Sequence, residues 1–237
     1  MDYSVYEKEC NRIKEEILLF EKTYITLFEA YSKKVTRNEI GLGGELMHRG
    51  YYCPSIIADI IAGNVRRGQI VKTHMGQKKG KYIFGFDEDD KLVTVDRGFE
   101  KEVIIRKDDR ELGIIFSQYG IEAISECYYE DNRIISYGYY NYLRDKGVCE
   151  YEKEIYTYTP NNLYVDWISY SNMCIQILQH NCYDFEIREG YLISYKVKEF
   201  KVDNNLDNLF KPMHKQIYKG LKIEDIKYQV NLRRKIT

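Results

Sequence analysis

With 237 residues the chain is long enough to bury a substantial core, and 36 Lys and Arg against 37 Asp and Glu leave a formal net charge of −1. That balance gives no general pull toward nucleic acid or an anionic membrane surface, and no apolar run approaches the roughly 20 residues that span a bilayer. A mean hydropathy of −0.53 points to a soluble protein, and 24 Tyr against 3 Pro point to wide sheet surfaces.

The chain opens with Tyr3, Tyr6, Cys10, Ile13, Ile17, Phe20, Tyr24, Leu27 and Tyr31, stepping by three and four, with Lys and Glu on the opposite side. This spacing predicts one amphipathic helix over 1–34, about 45 Å long. Leu18, Ile25 and Phe28 widen the stripe on one flank. A wide stripe suits the apolar face of a sheet better than a two-helix seam, so a monomer is expected, with a coiled-coil homodimer as the alternative. Residues 1–4 show neither a basic nor an apolar leader, which predicts a cytoplasmic protein. Cys10, Cys53, Cys127, Cys149, Cys174 and Cys182 show no CxxC pair or metal spacing, and are read as free thiols in a reducing compartment.

Between 36 and 75 the texture becomes glycine-rich. Gly41, Gly43, Gly44 and Gly50 imply loop, and Ser55 is a good N-cap for a short helix carrying Ile56, Ile57, Ile60 and Ile61. Gly41-Leu42-Gly43-Gly44 lacks the Lys-Ser/Thr of a phosphate loop, so no nucleotide cofactor is expected. His48 and His74 read as ordinary surface or core residues, and Arg66, Arg67, Lys78 and Lys79 as solvated loop charges.

From 81 to 200, runs rich in Val, Ile, Tyr and Phe are punctuated by acidic, Gly or Asn turns. Eleven strands are predicted, at 81–87, 91–97, 101–107, 111–117, 121–130, 133–142, 148–159, 163–170, 173–179, 182–188 and 191–200. Connections this short pair neighbours antiparallel in chain order, as a meander. Residues 201–237 read as a C-terminal helix with a further strand or helix. No Pro, Ser or Gly linker divides the chain, so the fold class expected is one α+β domain over 1–237, predominantly β, with a large antiparallel meander packed on the N-terminal helix.

No GxSxG, HExxH or protease cysteine signature occurs, so neither catalytic residues nor an enzyme is expected. Asp87 to Asp90 lacks the glycine and distal glutamate of a calcium loop, and His180 with Cys182 supplies only two ligands, so no metal is expected. The alternation of turns is more informative. One edge of the meander gathers the turns 87–91, 107–111, 130–133, 160–162 and 180–181. It carries nine acids (Asp87, Glu88, Asp89, Asp90, Asp108, Asp109, Glu111, Glu130, Asp131) against four bases. The opposite edge gathers 97–101, 117–120, 143–147, 171–172 and 188–190, with three acids and five bases. An acidic rim beside exposed tyrosines suits capture of a basic protein. The alternative is an apolar or carbohydrate ligand stacked on Tyr137, Tyr139, Tyr156, Tyr158 and Trp167, and nucleic acid is disfavoured by the charge balance.

The hairpins around Phe86-Asp87, Lys107-Asp108-Asp109 and Tyr129-Glu130-Asp131 resemble those of YD-type repeat proteins, in which an aromatic and an aspartate precede the turn. The Tyr- and Lys-rich composition and the architecture together resemble the immunity proteins of bacterial polymorphic (contact-dependent and Rhs-type) toxin systems. That resemblance implies a cognate toxin domain as partner, such as a basic nuclease whose active site the acidic residues occlude.

Overall fold

The computed structural model describes residues 4–44, 48–58, 67–71, 81–131, 133–173, 177–188 and 191–200. Two helices, α1 (Ser4–Phe20) and α2 (Tyr24–Ser32), precede twelve strands. These are β1 (Arg37–Leu42), β2 (Gln69–Val71), β3 (Lys81–Phe86), β4 (Leu92–Asp96), β5 (Glu100–Lys107), β6 (Arg110–Ser117), β7 (Gly120–Glu130), β8 (Arg133–Leu143), β9 (Gly147–Tyr158), β10 (Asn162–Ser171), β11 (Ile177–Arg188) and β12 (Tyr191–Phe200). All twelve join in one sheet ordered β12-β11-β10-β9-β8-β7-β6-β5-β4-β3-β1-β2, with every pairing antiparallel. The fold is therefore α+β and mostly β, a meander from β3 to β12. Among the described residues β12 and β2 are its two unjoined borders.

Three expectations from the sequence are corrected. The single N-terminal helix breaks at residues 21–23, where Thr23 adopts φ −124° and its amide donates to Phe20 O at 2.8 Å. A straight rod cannot follow a surface whose strands turn by about 20° each, so the break lets α1 lie on β7, β8 and β9 while α2 turns to β4 and β5. Leu18 and Ile25, read as widening the stripe, are 49% and 54% exposed. The glycine-rich stretch is not wholly loop, because β1 pairs along the whole of β3 and adds β2 beyond it. Gly41 permits this pairing, since a Cβ there would lie 2.6 Å from the Phe84 ring. Finally, 173–179 and 182–188 are not two strands. His180 and Asn181, read as a turn, continue within β11, directly opposite Ile168 and Trp167. Residues 201–237, and the part of the short helix expected after Ser55 that runs beyond Ala58, lie outside the described residues.

The two faces of the sheet are closed differently. On one, Cys10, Ile13 and Ile17 of α1 pack on Ile114, Ile124, Tyr140, Tyr151 and Tyr170. On the other, Ile56 and Ile57 pack on Tyr137, Tyr156, Leu163, Trp167, Tyr183 and Phe185. The alternation Tyr139/Tyr140 in β8 supplies a ring to each face. A short 3-10 turn, Gly50–Tyr52, seats Tyr52 edge-on against Phe84 at 4.8 Å and Phe86 at 5.6 Å.

Candidate functional site

Losing the turn at 180–181 changes which turns share an edge. The β11–β12 connection now falls beside the first-edge turns, because Arg188 pairs with Tyr191 at that end of the sheet. The acidic hairpins keep their places. The turns joining β3–β4, β5–β6 and β7–β8 emerge at one edge, about 10 Å from one to the next. Each puts an aspartate in the left-handed region, Asp90 at φ 63°, Asp108 at φ 53° and Asp131 at φ 46°. Asp and Asn tolerate that conformation best among side-chain-bearing residues, so turn chemistry accounts for these three. It does not account for Glu88, Asp89, Asp109 and Glu130, which are exposed with ordinary backbone.

Most of this edge is solvated charge. Asp87 accepts a hydrogen bond from the Lys91 amide at 2.8 Å, and Lys91 Nζ lies 3.7 Å from Asp89. Asp90 is ion-paired with Arg37, whose guanidinium also stacks 4.1 Å from the centre of the Phe86 ring. Asp108, Asp109, Glu130 and Asp131 are exposed. Glu111 does not belong with them. Its carboxylate is buried, paired with Arg49 and at 2.7 Å from Arg106. At the opposite edge Arg97 pairs with Glu100 at 3.3 Å.

The five aromatic residues offered as a stacking surface do not form an exposed one. Tyr137, Tyr156 and Trp167 are buried in the core beneath Ile56 and Ile57, and Tyr139 and Tyr158 are half-buried at its margin. What remains open is a cavity of about 360 Å³ between the 48–58 segment and the sheet, walled by His48, Tyr137, Tyr139, Glu100, Glu150 and Glu152. Burial pushes the Glu152 and Glu100 carboxyls up, in Glu100 against the pull of Arg97.

Behind the cavity lies a buried polar cluster that the sequence reading missed. Arg49 donates from Nε to Glu102 at 2.8 Å and from Nη2 to Ser125 at 2.9 Å, and also pairs with Glu111. His48 bridges Glu102 at 3.0 Å and the Tyr137 hydroxyl at 3.1 Å. Burial alone would raise the Glu102 carboxyl, but Arg49 and His48 hold it at about 2. Among the described residues Glu154 has no cation to do the same. Burial raises it to about 7, although Ser55 and Tyr156 both donate to it. Gly113 makes the room, since a Cβ there would meet Glu102 Oε1 at 1.9 Å. Arg67, read as a solvated loop charge, is instead buried and donates to the backbone carbonyls of Cys53 and Ser55. Ser55 does cap as expected, accepting from the Ala58 amide at 2.8 Å. The available signal was acid on an otherwise apolar strand face: Glu102 precedes Ile104, and Glu154 precedes Tyr156 and Tyr158.

No family model matches the chain, and no curated protein or solved structure does either.

Proposed function

We propose that the chain is a non-catalytic binding protein that captures a basic protein partner along its acidic hairpin edge, in the manner of a toxin-neutralising immunity protein in a bacterial cytoplasm. The observation that supports this reading is the alignment of three hairpin tips on one border. With Glu111 withdrawn into the core, those three hairpins still carry eight acidic residues (Asp87, Glu88, Asp89, Asp90, Asp108, Asp109, Glu130, Asp131) against four basic ones, Lys91, Lys107, Arg110 and Arg133. Arg110 is itself turned inward to Glu16, at 2.8 Å, and to Glu126. An exposed border of one sign accelerates encounter with a partner of the other sign, and repels nucleic acid.

The test is association with the product of the adjacent reading frame, followed at low and high salt. The combined variant E88K/D89K/D109K/E130K leaves the left-handed aspartates untouched. It is expected to slow association by about a hundredfold to a thousandfold at low salt and to abolish the salt dependence. The opposite-edge variant R144E/K146E serves as control and keeps the wild-type rate. An unchanged rate in the fourfold variant would falsify the acidic-edge reading.

The cavity favours a second reading. Tyr137 and Tyr139 offer ring surface and Glu100, Glu150 and Glu152 offer acceptors, a combination that suits the CH faces and hydroxyls of a carbohydrate. Its mark is heat on titration with neutral oligosaccharides, absent from a chain whose ligand is a protein alone.

A further inference from the structure

Beyond the reach of α1, β10 and β11 carry a cluster that neither reading uses. Asp166 of β10 stands directly opposite Cys182 of β11, and His180, two residues away, projects on the same face. Their ligand atoms all lie within 4.8 Å of one another. Asp166 Oδ1 is 2.5 Å from Cys182 Sγ and 3.3 Å from His180 Nε2, and Sγ is 3.8 Å from Nε2. The side chains of Asp166 and His180 are 51% and 33% exposed, so an ion can reach them from solvent.

We propose that Asp166, His180 and Cys182 form a zinc site with three protein ligands and a fourth position open to water or to a partner's side chain. Tetrahedral zinc with bonds of about 2.3 Å to sulfur and about 2.0–2.1 Å to nitrogen and oxygen places ligand atoms about 3.3 Å apart for N and O and about 3.6 Å apart for S with either. The His180–Asp166 separation already has the first value, and Cys182–His180 is within a few tenths of an ångström of the second. The Cys182–Asp166 contact is a thiol hydrogen bond, and it opens by about 1 Å as the metal replaces the proton. The thiol proton leaves to solvent, and His180 carries its remaining proton on Nδ1.

Thiolate and carboxylate together balance the ion's double charge, and a thiolate–imidazole–carboxylate set selects zinc over magnesium or calcium. Because β10 and β11 hold the three ligands across paired backbone, little conformational freedom is lost on binding. Burial and the Asp166 carboxylate push the free Cys182 thiol up, so the metal itself must displace the proton; Lys198 of β12, opposite Cys182, eases this only in part.

Cobalt substitution tests the site. Chelator-treated protein titrated with Co²⁺ is expected to develop a thiolate-to-cobalt charge-transfer band and visible d–d absorption that saturate at one equivalent and are erased by Zn²⁺. C182S loses the charge-transfer band, and C182S and H180Q each lower zinc affinity roughly a hundredfold or more, beyond the loss typical of an outer-shell partner. D166N loses about tenfold, and C149S, at a buried thiol elsewhere, keeps the band. Far-UV circular dichroism verifies that each variant is folded. Absence of a thiolate band with equimolar cobalt, its survival in C182S, or binding seen only at millimolar metal would each overturn the proposal.

Discussion

The two faces of the sheet solve the same problem with opposite chemistry. On the helix face, α1 and α2 satisfy their own backbone groups and need contribute only an apolar stripe, so Ile13 and Ile17 bury completely against strand residues. On the other face the cover is the segment 48–58, which is largely irregular among the described residues apart from the 3-10 turn Gly50–Tyr52. Arg67 serves the carbonyls of Cys53 and Ser55, Arg49 anchors the segment to Glu102 and Glu111, and the Tyr156 hydroxyl accepts from the Ile56 amide at 3.4 Å. An irregular lid over a core therefore brings buried charge with it, because unpaired backbone polar groups cannot be left dry. The helix face buries one carboxylate, Glu126, but meets it with the part-exposed Arg12 at 2.6 Å, while Lys153 and Tyr140 each reach Glu9 at 2.8 Å.

The contrast can be broken most sharply at Arg49. Arg49→Met strands Glu102 and Glu111 without their shared guanidinium, and urea unfolding is expected to register a loss of about 4 kcal/mol. A loss under about 1 kcal/mol would show that the lid does not depend on its charges. Next comes pH. Glu154 has a folded-state pKa of about 7 against an ordinary 4.5, so between those values the folded chain keeps a proton that the unfolded chain gives up. Its contribution is complete below pH 4.5 and is lost as pH rises through 7, on the order of 3 kcal/mol across the window. Glu154→Gln should remove that slope, measured as unfolding free energy at pH 5 and pH 8, and be the more stable protein at pH 8. Glu9 has the opposite sign. Burial would raise its carboxyl, but Arg12, Lys153 and Tyr140 hold it at about 2, so what it contributes is present above pH 4.5 and fades as pH falls toward 2. The smallest effect belongs to the apolar face, where Ile13→Val deletes one buried methylene and is expected to cost about 1 kcal/mol with no dependence on pH.

This difference also decided what could be read without coordinates. Heptad-like spacing from Tyr6 to Tyr31 and alternation in Tyr183-Phe185-Ile187 announce regular elements, and the antiparallel meander and the α1 contact follow from them. The break at 21–23 was not legible, because the apolar spacing runs through it unbroken and only the sheet's twist requires it. The strand at 180–181 was misread because polar residues looked like punctuation. They are only half-buried in β11, where polarity is compatible with strand. Of the candidate sites, the acidic turns were visible through Asp-Asp and Glu-Asp pairs at loop positions. Glu111 was grouped with them by proximity in sequence, yet alternation places it on the inner face with Gly113 and Ile115. The Arg49 cluster joins residues 53, 62 and 76 positions apart, and no local pattern connects them. That Asp166 stands beside His180 and Cys182 appears only once the β10–β11 register is known.

The nearest-neighbour strand order has a consequence for how the chain is made. Each strand from β4 to β12 pairs with the one just before it, so the sheet can grow one strand at a time as the polypeptide leaves the ribosome. The first helix has no such luck: Glu9 meets Tyr140 and Lys153 only after 131 and 144 further positions have been translated. Until β6 and β7 bring Ile114 and Ile124 its Ile13–Ile17 stripe is a greasy ribbon without a berth, and the berth is complete only with β9. The nascent protein is thus most vulnerable to clumping, and most in need of a chaperone, before β9 emerges.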